Sequence, residues 1–163
     1  VVGVESEKAE AGLVEDAAKN HLEPPVEINI QYINIHDKEI VVVEVPESDT
    51  KPHRLQDYQK DFDINKAVVC IRVNDKSVQA SKEMMRIMRA QSGNLTLKKY
   101  VLGDSEKSVF KYLEAYEKIT VKELSNLINI SERRASRTLV KMVRANLLAI
   151  HIKDNGEEFF TGL

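Results

Sequence analysis

Residues 119–148, ITVKELSNLINISERRASRTLVKMVRANLL, constrain the fold more than any other stretch. They parse as two helices joined by a tight turn. The first is expected from about 121 to 128, the second from 131 to about 146. Thr120 caps the first, and Glu123, three residues on, completes a capping box. Leu124, Leu127 and Ile128 fall on one face. Asn129 suits the turn because it tolerates left-handed backbone. Ile130 plugs between the helices. Ser131 accepts hydrogen bonds from the free N–H groups that open the second helix. This is helix-turn-helix spacing.

The second helix has two unlike sides. At 3.6 residues per turn, Ala135, Leu139, Met142 and Val143 share one face. Arg133, Arg137, Lys141 and Arg144 share the opposite one, with Arg134 and Ser136 flanking them near the helix start. Such a stripe suits phosphate contacts and, through arginine, bidentate contacts to guanine in a major groove. The plainer reading is a solvated polar face. The capped helix pair, with only Glu132 opposing the stripe, favours DNA. The residues after the pair strengthen the case. Residues 147–152 are β-prone, Asp154-Asn155-Gly156 carries a hairpin signal, and 157–160 can return as a second strand. Phe159 and Phe160 then point to opposite faces. Upstream, Asp104-Ser105-Glu106 opens a helix that buries Val109, Phe110 and Leu113, and 118–120 reads as a short edge strand.

That order, helix, edge strand, helix, helix, hairpin, resembles the winged helix-turn-helix of bacterial transcription regulators across residues 104–163. The resemblance implies a recognition helix at about 131–146. It implies DNA contacts from Arg133, Arg134, Ser136, Arg137, Lys141 and Arg144, and from Lys153 in the wing. Lys153 stands among Asp154, Glu157 and Glu158, so the wing should add little.

The chain has 163 residues, a net charge of −2 and one cysteine, Cys70. No intrachain disulfide can form, which agrees with a reducing cytoplasm. No apolar run is long enough to span a bilayer. Residues 104–163 carry ten Lys/Arg and nine Asp/Glu, a net of +1. DNA binding must therefore come from a local stripe and should fall steeply with salt.

The first hundred residues read as α/β. Val1-Val2-Gly3-Val4 looks like a strand already under way, without an initiator Met. A helix is expected from Glu5 to about His21, with Ala9, Leu13, Ala17 and Ala18 apolar, stopped by Pro24-Pro25. Val26, Ile28 and Ile30 begin a strand that turns at His36-Asp37-Lys38. Ile40-Val41-Val42-Val43-Glu44-Val45 reads as a strand buried on both faces. A loop at 46–53 leads to a strand at 67–73, a turn at 74–76 and a helix capped by Ser81. Met84, Met85, Ile87 and Met88 form its apolar side.

The run VVVEVPESDTKPHRL, followed by a strand with CIRVNDKSVQASKEM, resembles the Schlafen AlbA-type domain over roughly residues 1–91. The matching elements are the strand ending at Val45-Pro46, the Lys51-Pro52-His53 segment, the strand bearing Arg72, and Ala80-Ser81 with Glu83 at a helix start. Cys70 stands where the family often has an aromatic residue, and Asn74-Asp75 where a glycine often comes next. The opening VVGVESE is similar to the part of that domain just after its first hairpin, so earlier elements are expected to precede Val1. The resemblance implies nucleic-acid contacts from Lys51, His53 and Arg72.

No catalytic motif, cofactor motif or metal-ligand spacing is present: the four histidines are scattered, and Glu39 and Glu44 would face opposite sides of a strand. The expectation is an α/β AlbA-like domain with a mixed sheet at 1–91, a linker at 92–103, and a winged helix-turn-helix at 104–163. The expected role is a cytoplasmic, homodimeric transcription regulator on double-stranded DNA, not an enzyme, with no cofactor and its effector unassigned. The alternatives are a Schlafen-type nucleic-acid-processing enzyme with catalytic groups outside this chain, or a protein-interaction module on a winged-helix scaffold.

Overall fold

The computed structural model describes Val4, residues 6–56, Asp63, and residues 66–93 and 100–163. All but Val4 of the opening strand expected at 1–4, and residues 94–99 of the 92–103 linker, lie outside these residues. The chain divides into two compact units, Val1–Val69 and Cys70–Leu163. The division precedes the one read from sequence. The segment from Cys70 to the end of the second helix packs with the C-terminal elements.

In the first unit, α1 (Glu7–Asn20) is capped by the Ser6 hydroxyl, which accepts from the Ala9 N–H. Its buried positions are Ala11 and Ala18, whereas Leu13 is 68% exposed. Of the expected Ala9, Leu13, Ala17 and Ala18, only Ala18 is therefore on the packed face. Two small side chains two turns apart let the helix lie close against β3, which a leucine would hold off. Strands β2 (Asn29–Ile35) and β3 (Lys38–Glu44) form an antiparallel hairpin in the register Ile35↔Lys38. His36 and Asp37 both take positive φ, as a two-residue turn of this hand requires. Short strands β1 (Leu22–Glu23) and β4 (Arg54–Leu55) pair with each other. The Ile40–Val45 run is not buried on both faces among the described residues. Among the described residues the strand partner of β3 is β2, with the Val4 N–H also donating to the Glu39 carbonyl at 3.0 Å, and Val42 is 38% exposed.

The second unit opens with a hairpin of β5 (Cys70–Val73) and β6 (Lys76–Gln79), turning at Asn74 with φ 53°. The strand β6 was not foreseen. Then come α2 (Lys82–Ser92), α3 (Asp104–Ala115), α4 (Val121–Leu127), α5 (Glu132–Arg144), and a hairpin of β7 (Leu148–Ile152) and β8 (Glu158–Gly162). All four described sheets are two-stranded and antiparallel, so the fold is α+β, and among the described residues no mixed sheet forms.

One core holds α3, α4, α5 and the last hairpin together. Val109, Ile119, Leu124, Ala135, Leu139, Met142, Leu148 and Phe160 are buried in a single cluster. Ile119 and Phe160 exchange backbone hydrogen bonds of 2.9 and 2.8 Å. The expected edge strand at 118–120 is thus a single bridge that ties the hairpin to the start of α4. Phe110 and Leu113 pack against the cluster, while Leu127 is 46% exposed and so leaves the face assigned to it.

Candidate nucleic-acid interface

The turn between α4 and α5 is built as its sequence demands. Thr120 Oγ1 accepts from the Glu123 N–H at 3.2 Å, and Glu123 Oε2 accepts from the Thr120 N–H at 2.7 Å. This reciprocal box satisfies two donors that the helix start would otherwise leave open. Asn129 adopts φ 51°, and the Ser125 hydroxyl donates to the Ile130 carbonyl at 2.6 Å, closing the turn. Ser131 caps α5 by accepting from the Arg134 N–H. At the far end Asn146 takes φ 53°, and the Leu147 N–H returns to the Met142 carbonyl. That left-handed exit satisfies a trailing carbonyl and aims the chain into β7.

Three sides of α5 have different neighbours. Ala135, Leu139 and Met142 enter the core. Ser136 and Val140 are also buried, on the flank where α2 packs. Arg133, Arg134, Arg137 and Lys141 are exposed, and Arg144 is half-buried. At about 100° per residue these five cations occupy an arc of roughly 100°. Arg133, Arg134, Arg137 and Lys141 make no ion pair among the described residues, so their charge faces solvent unmatched.

Ser136 does not belong to that arc. It is 3% exposed, its hydroxyl donates to the Glu83 carboxylate, and Arg86 Nη1 donates to Ser136 Oγ at 3.3 Å. It anchors α2 to α5 rather than facing solvent. The base of α2 is pinned again by Ser81, which caps the helix and donates to Glu158 Oε1 on β8 at 2.6 Å. Burial holds the Glu158 carboxyl above the usual range, the Ser81 hydrogen bond opposes that shift, and the nearby Glu83 charge adds to it. Packing α2 also lines a cleft of about 410 Å³ with Arg86, Arg89, Ala90, Arg137, Val140, Lys141 and Arg144. Arg86 and Arg89 were missed from sequence. Their signal is spacing: three residues apart on one helix, they share a face.

The remaining cations are committed nearer home. Lys153 Nζ donates to Glu157 Oε2 at 2.6 Å, which neutralises the tip of the hairpin and holds the Glu157 carboxyl below its usual range. Lys51 Nζ donates to Glu47 at 2.7 Å. His53 Nδ1 donates to the Pro24 carbonyl at 2.7 Å. The exposed Arg72 spans its own hairpin, donating to the Asn74 carbonyl and to Ser77 Oγ, both at 3.3 Å. Lys51 and His53 lie in the first unit and Arg72 in the second.

Residues 1–81 match the Schlafen, AlbA_2 family model. The match covers 81 of 163 residues, just under half, and ends on Ser81, the cap of α2. No curated protein and no solved structure matches the chain. The Schlafen, AlbA_2 match contains Lys51, His53 and Arg72 and leaves the α5 arc outside it. It also crosses the structural division, taking in the β5–β6 hairpin.

Charge separates along that division. The unit Val1–Val69 holds 7 Lys/Arg and 15 Asp/Glu, a net of −8. The unit Cys70–Leu163 holds 17 Lys/Arg and 11 Asp/Glu, a net of +6. Among the described residues no cluster of three or more His, Cys, Asp or Glu is arranged to hold a metal. No described helix is long and apolar enough to cross a membrane.

Proposed function

We propose that this chain is a transcription regulator that binds double-stranded DNA through its C-terminal unit. In this reading α3, α4, α5 and the β7–β8 hairpin form a winged helix-turn-helix, and α5 enters the major groove. The observation that carries the proposal is the arc of Arg133, Arg134, Arg137 and Lys141, exposed and without an ion pair among the described residues, on a helix whose Ala135, Ser136, Leu139, Val140 and Met142 are buried. A 13-residue helix is about 20 Å long and fits a groove about 12 Å wide. The +6 balance of this unit supports the reading, because phosphate neutralisation dominates affinity for DNA. The match to Schlafen, AlbA_2, a domain associated with nucleic acid, supports a nucleic-acid role for the chain, although it ends before α3 and so bears on the chain rather than on α5.

The hairpin contributes little, since Lys153 is already paired with Glu157. The acidic first unit is assigned sensing or assembly instead of phosphate contact, its −8 charge being repelled by a duplex. A homodimer in the cytoplasm fits the scheme, because two reading heads on a two-fold site gain both affinity and register. The activity needs no catalytic group of this chain.

The test is a titration of the full chain with random-sequence and selected duplexes across a salt series. The expected result is an affinity that falls linearly with log salt, and a selected site with two half-sites about one helical turn apart. Salt-independent or absent binding, with a protein captured instead, would replace this reading by that of an interaction scaffold.

A further inference from the structure

Of the five cations around the α2–α5 cleft, three come from α5 and two from α2. Arg86 and Arg89 project from α2, and Arg137, Lys141 and Arg144 face them from α5, above a floor of Ala90 and Val140. Every polar side chain in this lining is a hydrogen-bond donor, and none is an acceptor. A base edge offers both donors and acceptors, so it matches such a lining poorly. A phosphodiester offers acceptors alone and matches it throughout. Glu83, the nearest acid on α2, is turned aside by its bonds to Ser136 and Arg86. Arg89, Arg137 and Lys141 have no ion pair among the described residues.

We infer that this cleft seats a phosphate strand of the bound duplex, making α2 a second DNA-contacting element beside α5. The inference rests on the reading of α5 as the groove-entering helix. Distance supports it: packed helices lie about 8–10 Å axis to axis. A major groove about 12 Å wide extends only about 6 Å to either side of a centred helix. α2 therefore stands over the groove wall, where the phosphates run. It is held there at three points: Ser81 on Glu158, Ser136 on Glu83, and buried Ile87 and Ala90. A strand also supplies charges in series, which suits Arg89, Arg137 and Lys141 along one cleft better than one small anion does.

The experiment is a salt-series titration of the full chain on a selected duplex and on its scrambled counterpart. The variants are Arg89→Ala, Arg86→Ala with Arg89→Ala, Arg89→Lys, and Lys107→Ala on α3 as a control for charge loss. Arg89→Ala is expected to weaken binding several-fold to tenfold, equally on both duplexes. It should also reduce the log–log salt slope by about 0.9, the value of one phosphate contact. Arg89→Lys should keep the slope and Lys107→Ala should change nothing. Thermal melts confirm folding, which Arg89→Ala should not disturb because that side chain is exposed. An unaltered slope in Arg89→Ala and in the double variant, with wild-type binding intact, overturns the cleft assignment while leaving α5 in place. Loss confined to the selected duplex also overturns it, since that would be base readout. A wild type without salt-dependent affinity removes the α5 reading and this inference with it. Inorganic tripolyphosphate that binds the cleft without competing against DNA assigns the site to a free polyphosphate and overturns the strand.

Discussion

Replacing Arg133 and Arg137 together by alanine is the most direct probe of the α5 arc. Both side chains are exposed, and neither makes an ion pair among the described residues. Folding therefore loses little: exposed substitutions away from partners stay within about 0.5 kcal/mol, and alanine is the better helix former. Binding loses much more. A specific arginine contact to a base contributes about 1–3 kcal/mol. Two such contacts then give about 2–6 kcal/mol, and even the lower value is a loss of ~30-fold, since about 1.4 kcal/mol is tenfold. The two residues are four apart on one face, so their effects are coupled and the double variant is the proper unit. The assay is a gel-shift or anisotropy titration of wild type and variant on one selected duplex at two salt concentrations, with a thermal melt of each. Equal affinity for the two proteins at both salts would refute the assignment of this arc. A collapsed melting temperature would instead refute the claim that these side chains stand outside the fold's own contacts.

Other perturbations test the frame that holds the arc. Phe160→Ala should cost about 3–5 kcal/mol, because a fully buried ring leaves a cavity at the bridge to Ile119; chemical denaturation gives the value, and a change under about 1 kcal/mol would contradict the packing described. Thr120→Ala removes the capping box of α4 and should cost about 1 kcal/mol, or about 4–8 °C of melting temperature in a unit of this size; an unchanged melt would mean the cap is not used in solution. Glu158→Gln tests the buried carboxyl under α2. Its pKa is raised in the fold, so its contribution to stability is present below the unfolded value, near 4.5, and is lost as pH rises through the folded one. The glutamine variant should therefore melt at or above wild type at neutral pH and show a flatter pH profile; a lower melt with the profile unchanged would contradict this.

Local chemistry was legible in the sequence where each residue acts on its neighbours. Thr120 with Glu123, Asn129 and Ser131 fix the α4–α5 turn through bonds that span five residues or fewer, so their spacing alone announces them. The His36-Asp37 turn obeys the same logic. What the sequence hid depends on partners far along the chain. Leu13 repeats at helical spacing yet lies in solvent, because close packing of α1 on β3 selects the smaller Ala11 and Ala18. Ser136 looked like a flank of the basic stripe because periodicity gives an angle about the helix and not a neighbour. Its partners, Glu83 and Arg86, stand 53 and 50 residues away. The Ile40–Val45 run had the composition of a strand buried on both faces, but composition cannot report how many strands pair with it.

The position of the domain boundary changes the electrostatic picture. Counted from Asp104, the C-terminal region carries +1 and offers only a stripe on a nearly neutral body. Counted from Cys70, where the contacts place the division, it carries +6, because Arg72, Lys76, Lys82, Arg86, Arg89, Lys98 and Lys99 join it against only Asp75 and Glu83. The same shift leaves the first unit at −8. A chain with a net charge of −2 is thus two bodies of opposite sign, and only one of them suits a polyanion. The cations expected in the first unit have partners close by: Lys51 Nζ donates to Glu47 and His53 Nδ1 to the Pro24 carbonyl. If α2 and α5 bind DNA as the pair proposed, a fragment beginning at Asp104 should bind more weakly than one beginning at Cys70 even though both contain the whole of α5.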